Sequence, residues 1–104
     1  MTLNEIKTLI LSADATAEHY GSSKRSGDSY TVWRELRRLA ATADGRHIEG
    51  WAFQVDRFAR DEEDPVAEAL FEALDANDRV AVHYEADYEQ DTEYIHHIYD
   101  CEGF

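Results

Sequence analysis

Apolar positions along the chain follow two rhythms. Leu3, Ile6, Leu9, Ile10 and Ala13 recur at helical spacing. They stand behind Thr2-Leu3-Asn4-Glu5, a capping-box spacing in which Thr2 takes the N-cap and Glu5 reaches back. The pattern predicts a first helix from about Leu3 to about Ala13. A second helical run, Val66, Ala67, Leu70, Phe71 and Leu74, follows Asp64-Pro65. Asp64 suits the N-cap and Pro65 the first helical position, and Asp61, Glu62, Glu63 and Asp64 suit the positive end of the helix dipole. Asp75 to Asp78 ends this helix.

The remaining rhythm is alternation. Trp51, Phe53 and Val55 alternate with Ala52, Gln54 and Asp56, predicting a strand over His47 to Phe58. Val80, Val82, Tyr84, Ala86 and Tyr88 alternate with His83, Glu85 and Asp87 in another. Glu89 to Thr92 then connects to a strand over Tyr94 to Cys101, and the pair reads as a hairpin. Tyr30 to Ala43 is ambiguous: Val32, Leu36, Leu39 and Ala43 fit a helical stripe, while Tyr-Thr-Val-Trp has strand propensity. A strand from Tyr30 to about Leu39 is the preferred reading, with Tyr30, Val32 and Leu36 toward the core and Arg34 and Arg38 interrupting that face. Ala40 to Gly45 turns the chain, with Asp44-Gly45 as the turn signal. Tyr20 to Ser29, with two glycines and four serines, reads as a loop and a candidate mobile segment.

These elements predict one α+β domain over residues 1–104, in the order α-β-β-α-β-β. The expected sheet has four mostly antiparallel strands with two helices on one face. At 104 residues the chain is long enough for one core without staples. The single cysteine, Cys101, allows no intrachain disulfide. No secretory leader is visible at the N-terminus, and no apolar run approaches the roughly 20 residues of a membrane span.

Charge changes the picture. The net charge is −13, which disfavours stable binding to nucleic acid or to anionic membranes as the main task. Lys24, Arg25, Arg34, Arg37, Arg38 and Arg46 lie in one stretch, whereas no Lys or Arg follows Arg79. Glu85, Asp87, Glu89, Asp91 and Glu93 cluster in the final hairpin. Beside the reading of a solvated acidic hairpin stands that of a subunit with a basic and an acidic side, able to associate head to tail. The candidate interface residues are therefore Arg34, Arg37, Arg38 and Arg46 on one side and Glu85, Asp87, Glu89, Asp91 and Glu93 on the other.

Candidate chemistry is sparse. Across the last hairpin His83 could approach His97, with Cys101 along the same face, but the spacing matches no strong metal motif. Cys101 sits in an acidic stretch that disfavours a thiolate. Carboxylate pairs abound without a recognisable nucleophile or phosphate loop beside them. No catalytic, metal or cofactor residue is therefore assigned, and the chain is read as a non-enzyme. Trp33, Trp51, Phe53, Tyr84, Tyr88, Tyr94 and Tyr99 outnumber what one sheet face hides, so some are expected at an interface.

WAFQVDRFAR, DPVAEALFEALDANDRVAV and YEADYEQDTEYIHHIYDCEG, with the amino-terminal helix before them, resemble the small tail-terminator and tail-completion proteins of long-tailed phages and prophages. The resemblance implies a structural, non-enzymatic virion part without a cofactor. It forms a ring, usually a hexamer, that caps the tail tube and offers a surface to the head connector. The implied partners are further copies of the chain and the tail-tube and head-connector proteins. The implied location is the host cytoplasm during assembly and then the virion tail. The chain departs from the family in its acidity and in the partly helix-like Tyr30–Ala43. A competing reading is an acidic DNA mimic that inhibits a DNA-binding enzyme, against which the basic cluster Lys24–Arg46 stands. A small host binding domain of unknown ligand is the third.

Overall fold

The structure, a computed structural model, describes residues 1–23 and 27–104. Helix α1 covers Leu3–Ala13. Strands follow at Glu18–His19 (β1), Tyr30–Ala43 (β2) and Arg46–Ala59 (β3), then helix α2 at Pro65–Asp75, then Val80–Glu89 (β4) and Tyr94–Gly103 (β5). The α+β class is as read from the sequence. The sheet is not: it has five strands and is mixed, in the order β1-β2-β3-β5-β4. The two-residue β1 runs parallel to β2, pairing Glu18 with Val32 and His19 with Trp33, and all other pairs are antiparallel. Two residues are too few for any hydrophobic period, so β1 left no pattern to find. Side chains hold it in addition to the backbone pairing. The His19 ring stacks on Trp33 and on Tyr20, each at 3.9 Å between centroids. His19 Nε2 also meets Glu35 at 2.6 Å, and the Tyr20 hydroxyl donates to the same carboxylate.

Both helices begin as the local chemistry dictates. The Thr2 and Glu5 capping box is closed in both directions. Asp64 accepts the Ala67 N–H at 3.1 Å, with Pro65 at the first helical position. Ile6 and Ile10 from α1 and Leu70 and Leu74 from α2 pack with Trp33, Phe53, Val55, Tyr99 and Cys101 into one core. Those sheet residues share a face, so the helices cover one side of the sheet and leave the other open.

The phase of β2 is the reverse of the expected one. Thr31 and Trp33 are buried toward the helices, while Leu36 is 43% exposed. Tyr30 instead stacks on Phe58 on the open face at 4.8 Å. Aromatic and aliphatic residues occupy both faces here, so alternation alone does not select one. A bulge between Glu35 and Arg37 then shifts the register, moving Arg38 opposite Trp51 on the helix side. Its guanidinium lies 4.7 Å from the centre of the Trp51 ring.

Strands β2 and β3 run far past the rest of the sheet. Trp51 is the last residue of β3 paired to β5, opposite Gly103. From Leu39 to Gly50 the two strands pair only with each other. The result is a two-stranded arm, closed by Asp44 and Gly45 at φ 52° and 74°, the two positive values a tight I′ turn requires. The chain extends 50 Å along its long axis against 23 and 22 Å across. The arm leaves the body at Gly50, where an added Cβ would lie 2.1 Å from the Gly103 carbonyl oxygen. Gly50→Ala must push the arm away from the end of β5. A loss of roughly 1–3 kcal/mol is expected in urea unfolding, whereas Gly45→Asn at the arm tip, compatible with positive φ, should leave the midpoint nearly unchanged.

Candidate functional site

Three places carry the polar residues with something to do. The first is buried. Arg57 stands on β3 in step with Phe53 and Val55, so the pleat turns it toward the helices. It is 6% exposed. Its Nε and Nη2 bond Asp64 at 2.7 and 3.1 Å, in a bidentate pair, and its Nη1 reaches Thr31 at 3.3 Å. The Asp14 carboxylate lies 3.8 Å from Nη1. Asp14 caps the end of α1 and Asp64 caps the start of α2. One guanidinium therefore holds both helix ends at the central strand, near the end of β3 away from the arm. Burial alone would raise both carboxyl pKa values. The Arg57 bonds and the Ala67 N–H hold Asp64 below its ordinary value, and the nearby Thr31 hydroxyl, the bonds from Thr16 and the charge of Arg57 do the same for Asp14, whose Oδ2 has no hydrogen bond of its own.

The second place is beside it. His97 on β5 faces the helices, and its Nδ1 lies 2.6 Å from the Tyr84 hydroxyl. His83 does not approach it. The register pairs His83 with Asp100, while Ala86 stands opposite His97. His97 shares its face with Cys101, and His83 lies on the other, so the expected convergence of His83, His97 and Cys101 does not occur. Among the described residues no group of three or more His, Cys, Asp or Glu is placed to hold a metal ion. Cys101 is buried, and burial above all, with Asp100 adding, pushes its thiol up to about 12. His96 turns to the open face, bonding Asp56 at 2.7 Å and stacking on Phe58.

The third place is the pair of sheet edges. Strand β4 ends the sheet, and no described residue pairs with its outer side. Glu85 and Asp87 point to the open face and Glu89 follows, with Asp91 and Glu93 in the turn beyond. Of these five only Glu89 forms an ion pair with a described residue, His96 at 3.6 Å, which also stands opposite Asp87 in the ladder. Tyr84 and Tyr88 stand on the same strand, 41% and 56% exposed. At the opposite side, β1 covers only Val32 and Trp33, so the outer side of β2 is unpaired from Arg34 onward among the described residues. Arg34 and Arg37 lie on the open face, Arg38 lies over Trp51, and Arg46 sits at the arm tip. None of the four forms an ion pair with a described residue. Lys24 and Arg25 lie outside the described residues.

The basic and acidic groups read from the sequence thus stand at opposite edges and do not meet within one chain. Sequence reasoning missed Arg57. The signal was present, because the alternation that turns Trp51, Phe53 and Val55 toward the helices carries Arg57 inward as well.

No family model matches the chain, and a search of the curated proteins finds no match. No helix among the described residues is long and apolar enough to cross a membrane.

The buried pair gives a prediction with a sign. Because the folded-state pKa values of Asp14 and Asp64 are depressed, their contribution is complete above their ordinary value of 3.8. It is lost as pH falls through the folded values. Arg57→Met strands two carboxylates and should cost about 3–5 kcal/mol at pH 7. In urea melts from pH 7 to pH 3, the gap between wild type and variant should narrow as pH falls, beginning above 3.8 because without Arg57 burial holds the stranded carboxyls above their ordinary value.

Proposed function

We propose that this chain is a structural subunit of a phage or prophage tail, of the tail-terminator or completion type. It works by head-to-tail self-association into a ring, a hexamer in the type it resembles, and by contacts to tail-tube and head-connector proteins. One observation carries the reading: the two free edges of a single sheet bear opposite charge. A β4 edge with five carboxylates on and beyond it repels a second β4 edge. A β2 edge with Arg34 and Arg37 repels a second β2 edge. The combination favoured by charge is β2 on β4, a heterologous contact that repeats and closes into a ring when the rotation permits. Unpaired backbone groups along both strands supply the hydrogen bonds of such a contact. Tyr84 and Tyr88 supply apolar area beside it.

The arm supports the same reading, because Leu39–Gly50 has too little body behind it to be stabilised within one chain. Ile48, 38% exposed on the arm, and Leu36 just before it leave apolar area uncovered. The uniform carboxylate surface that a DNA mimic needs is interrupted by Arg34, Arg37, Arg38 and Arg46.

Light scattering coupled to size separation tests the reading. At low salt the mass should be a fixed multiple of the 12.0 kDa chain. It should fall at 1 M salt, where the Debye length shrinks to about 3 Å. Arg34→Glu with Arg37→Glu should weaken association at least about tenfold, and mixing with Glu85→Lys, Asp87→Lys protein should restore it. A strict monomer at every concentration, unchanged by tail-tube protein, contradicts the reading. A monomer that competes with DNA for a DNA-binding enzyme would favour the mimic.

A further inference from the structure

β1 lies on the edge that the ring reading uses, and it limits how far a second copy can slide there. It pairs with β2 only at Val32 and Trp33. The Tyr20 N–H then donates to the Trp33 carbonyl at 2.7 Å, and the chain turns away at once, with Tyr20 at φ 73°. Positive φ is uncommon for a bulky side chain and persists only where the surroundings hold it. Here the His19 ring stacks between Tyr20 and Trp33, and the Glu35 carboxylate accepts the Tyr20 hydroxyl and meets His19 Nε2. β1 is thus a short, held segment, and Arg34 is the first position beyond it on the outer side of β2.

The length that remains matches the other edge. β2 has 14 residues, four of which precede Arg34, so ten remain up to Ala43. β4 also has ten, and it ends at Glu89, where the hairpin turn begins. β2 and β4 run in opposite directions within the sheet. A ring that carries the sheet on from copy to copy therefore sets β2 antiparallel to the neighbour's β4. Arg34 and Arg37 share the open face although three positions apart, because the bulge between Glu35 and Arg37 takes up one residue. Asp87 and Glu89 share that face two positions apart. The bulge brings the two spacings into step, so one register meets both arginines with carboxylates. Glu89 accepts the Thr92 hydroxyl at 3.0 Å and lies 3.6 Å from His96, and a carboxylate so engaged still has lone pairs for a guanidinium.

We propose that β1 is a register stop for this contact, seating the neighbour's Glu89 opposite Arg34 and its Asp87 opposite Arg37. The inference rests on the ring reading and adds the register to it. Charge alone does not select this register. A slip by two residues sets Arg34 opposite Asp87 and Arg37 opposite Glu85, and those pairs match equally well. That slip also drives Tyr88 and Glu89 alongside Trp33 and Val32, where β1 already pairs. A slip the other way carries Arg34 past the end of β4. In the seated register the rest of the neighbour's β4 runs beside the arm and gives it a third strand.

Disulfide trapping tests it. Arg37→Cys protein is mixed at low salt with Asp87→Cys protein or with Glu85→Cys protein under mild oxidation, and the cross-linked pairs are quantified. Opposite residues of an antiparallel pair have Cα atoms about 4.5–5.5 Å apart, within disulfide reach, whereas a residue two places off lies roughly 7–8 Å away, beyond it. The Arg34 and Glu89 pair is kept in both mixtures, and the native Cys101 is buried. At least about tenfold more disulfide is expected with Asp87→Cys protein than with Glu85→Cys protein. Adding Tyr20→Pro to the Arg37→Cys chain removes the N–H given to Trp33 and forbids the positive φ, so β1 is lost. The Glu85→Cys yield should then rise to within about threefold of the other, because nothing blocks the slip. Equal yields without Tyr20→Pro, or a preference for Glu85→Cys protein, overturn the proposal, and this comparison needs no β1 variant. A Tyr20→Pro chain that associates and still excludes Glu85→Cys protein overturns it as well. Protein that associates by mass but cross-links at neither position refutes the register and leaves the ring standing, while a strict monomer ends both.

Discussion

Arg57 is a full positive charge set on the central strand of the sheet, and the sheet can hold it there only because two helix ends bring carboxylates to it. Removing such a charge from water costs several kcal/mol, and bidentate pairing with Asp64 is what offsets the cost. The same carboxylate caps α2, so the start of that helix cannot move without breaking the pair. Asp14 at the end of α1 faces the same guanidinium from its other side. The helix layer is therefore anchored at one point, opposite Thr31 and Arg57, and packs outward from it through Ile10, Leu70 and Leu74.

That anchoring has a consequence in length. Each helix has 11 residues, and at about 1.5 Å per residue each reaches only roughly 17 Å. Strands β2 and β3 have 14 residues each, and at about 3.3 Å per residue they reach roughly 46 Å. Two helices pinned near one end of the sheet cannot cover strands of that length. The arm, the outer sides of β2 and β4, and Tyr84 and Tyr88 remain uncovered as a result. The surfaces on which the assembly reading rests follow from the geometry of the core.

How much of this could be read in the residues depends on how local each cause is. Thr2 with Glu5, and Asp64 with Pro65, act within one turn of chain, and both helices begin where those residues place them. Asp44-Gly45 likewise marks its turn directly. The face of β2 was not legible, because Tyr30, Val32 and Leu36 are as apolar as the face that is buried and a bulge resets the alternation. The ordering of β1 onto β2 depends on His19, Tyr20 and Glu35 meeting across the chain, which two residues of strand cannot announce. The separation of Arg34 and Arg37 from Glu85 and Asp87 is a matter of strand order, and strand order is non-local. Arg57 was the one decisive residue whose inward direction the alternation already contained.

In the proposed assembly the outer side of β2 beyond Arg34 pairs with the outer side of β4 of a second copy. Amide hydrogen exchange, followed residue by residue across a protein dilution series at low salt, measures this directly. The account predicts that alternate amides in β4 and in β2 from Arg34 to Leu39, the outward-pointing ones, gain protection together as concentration rises, while amides facing β3 and β5 are protected throughout. Outward amides of both strands that exchange freely at every concentration would contradict it.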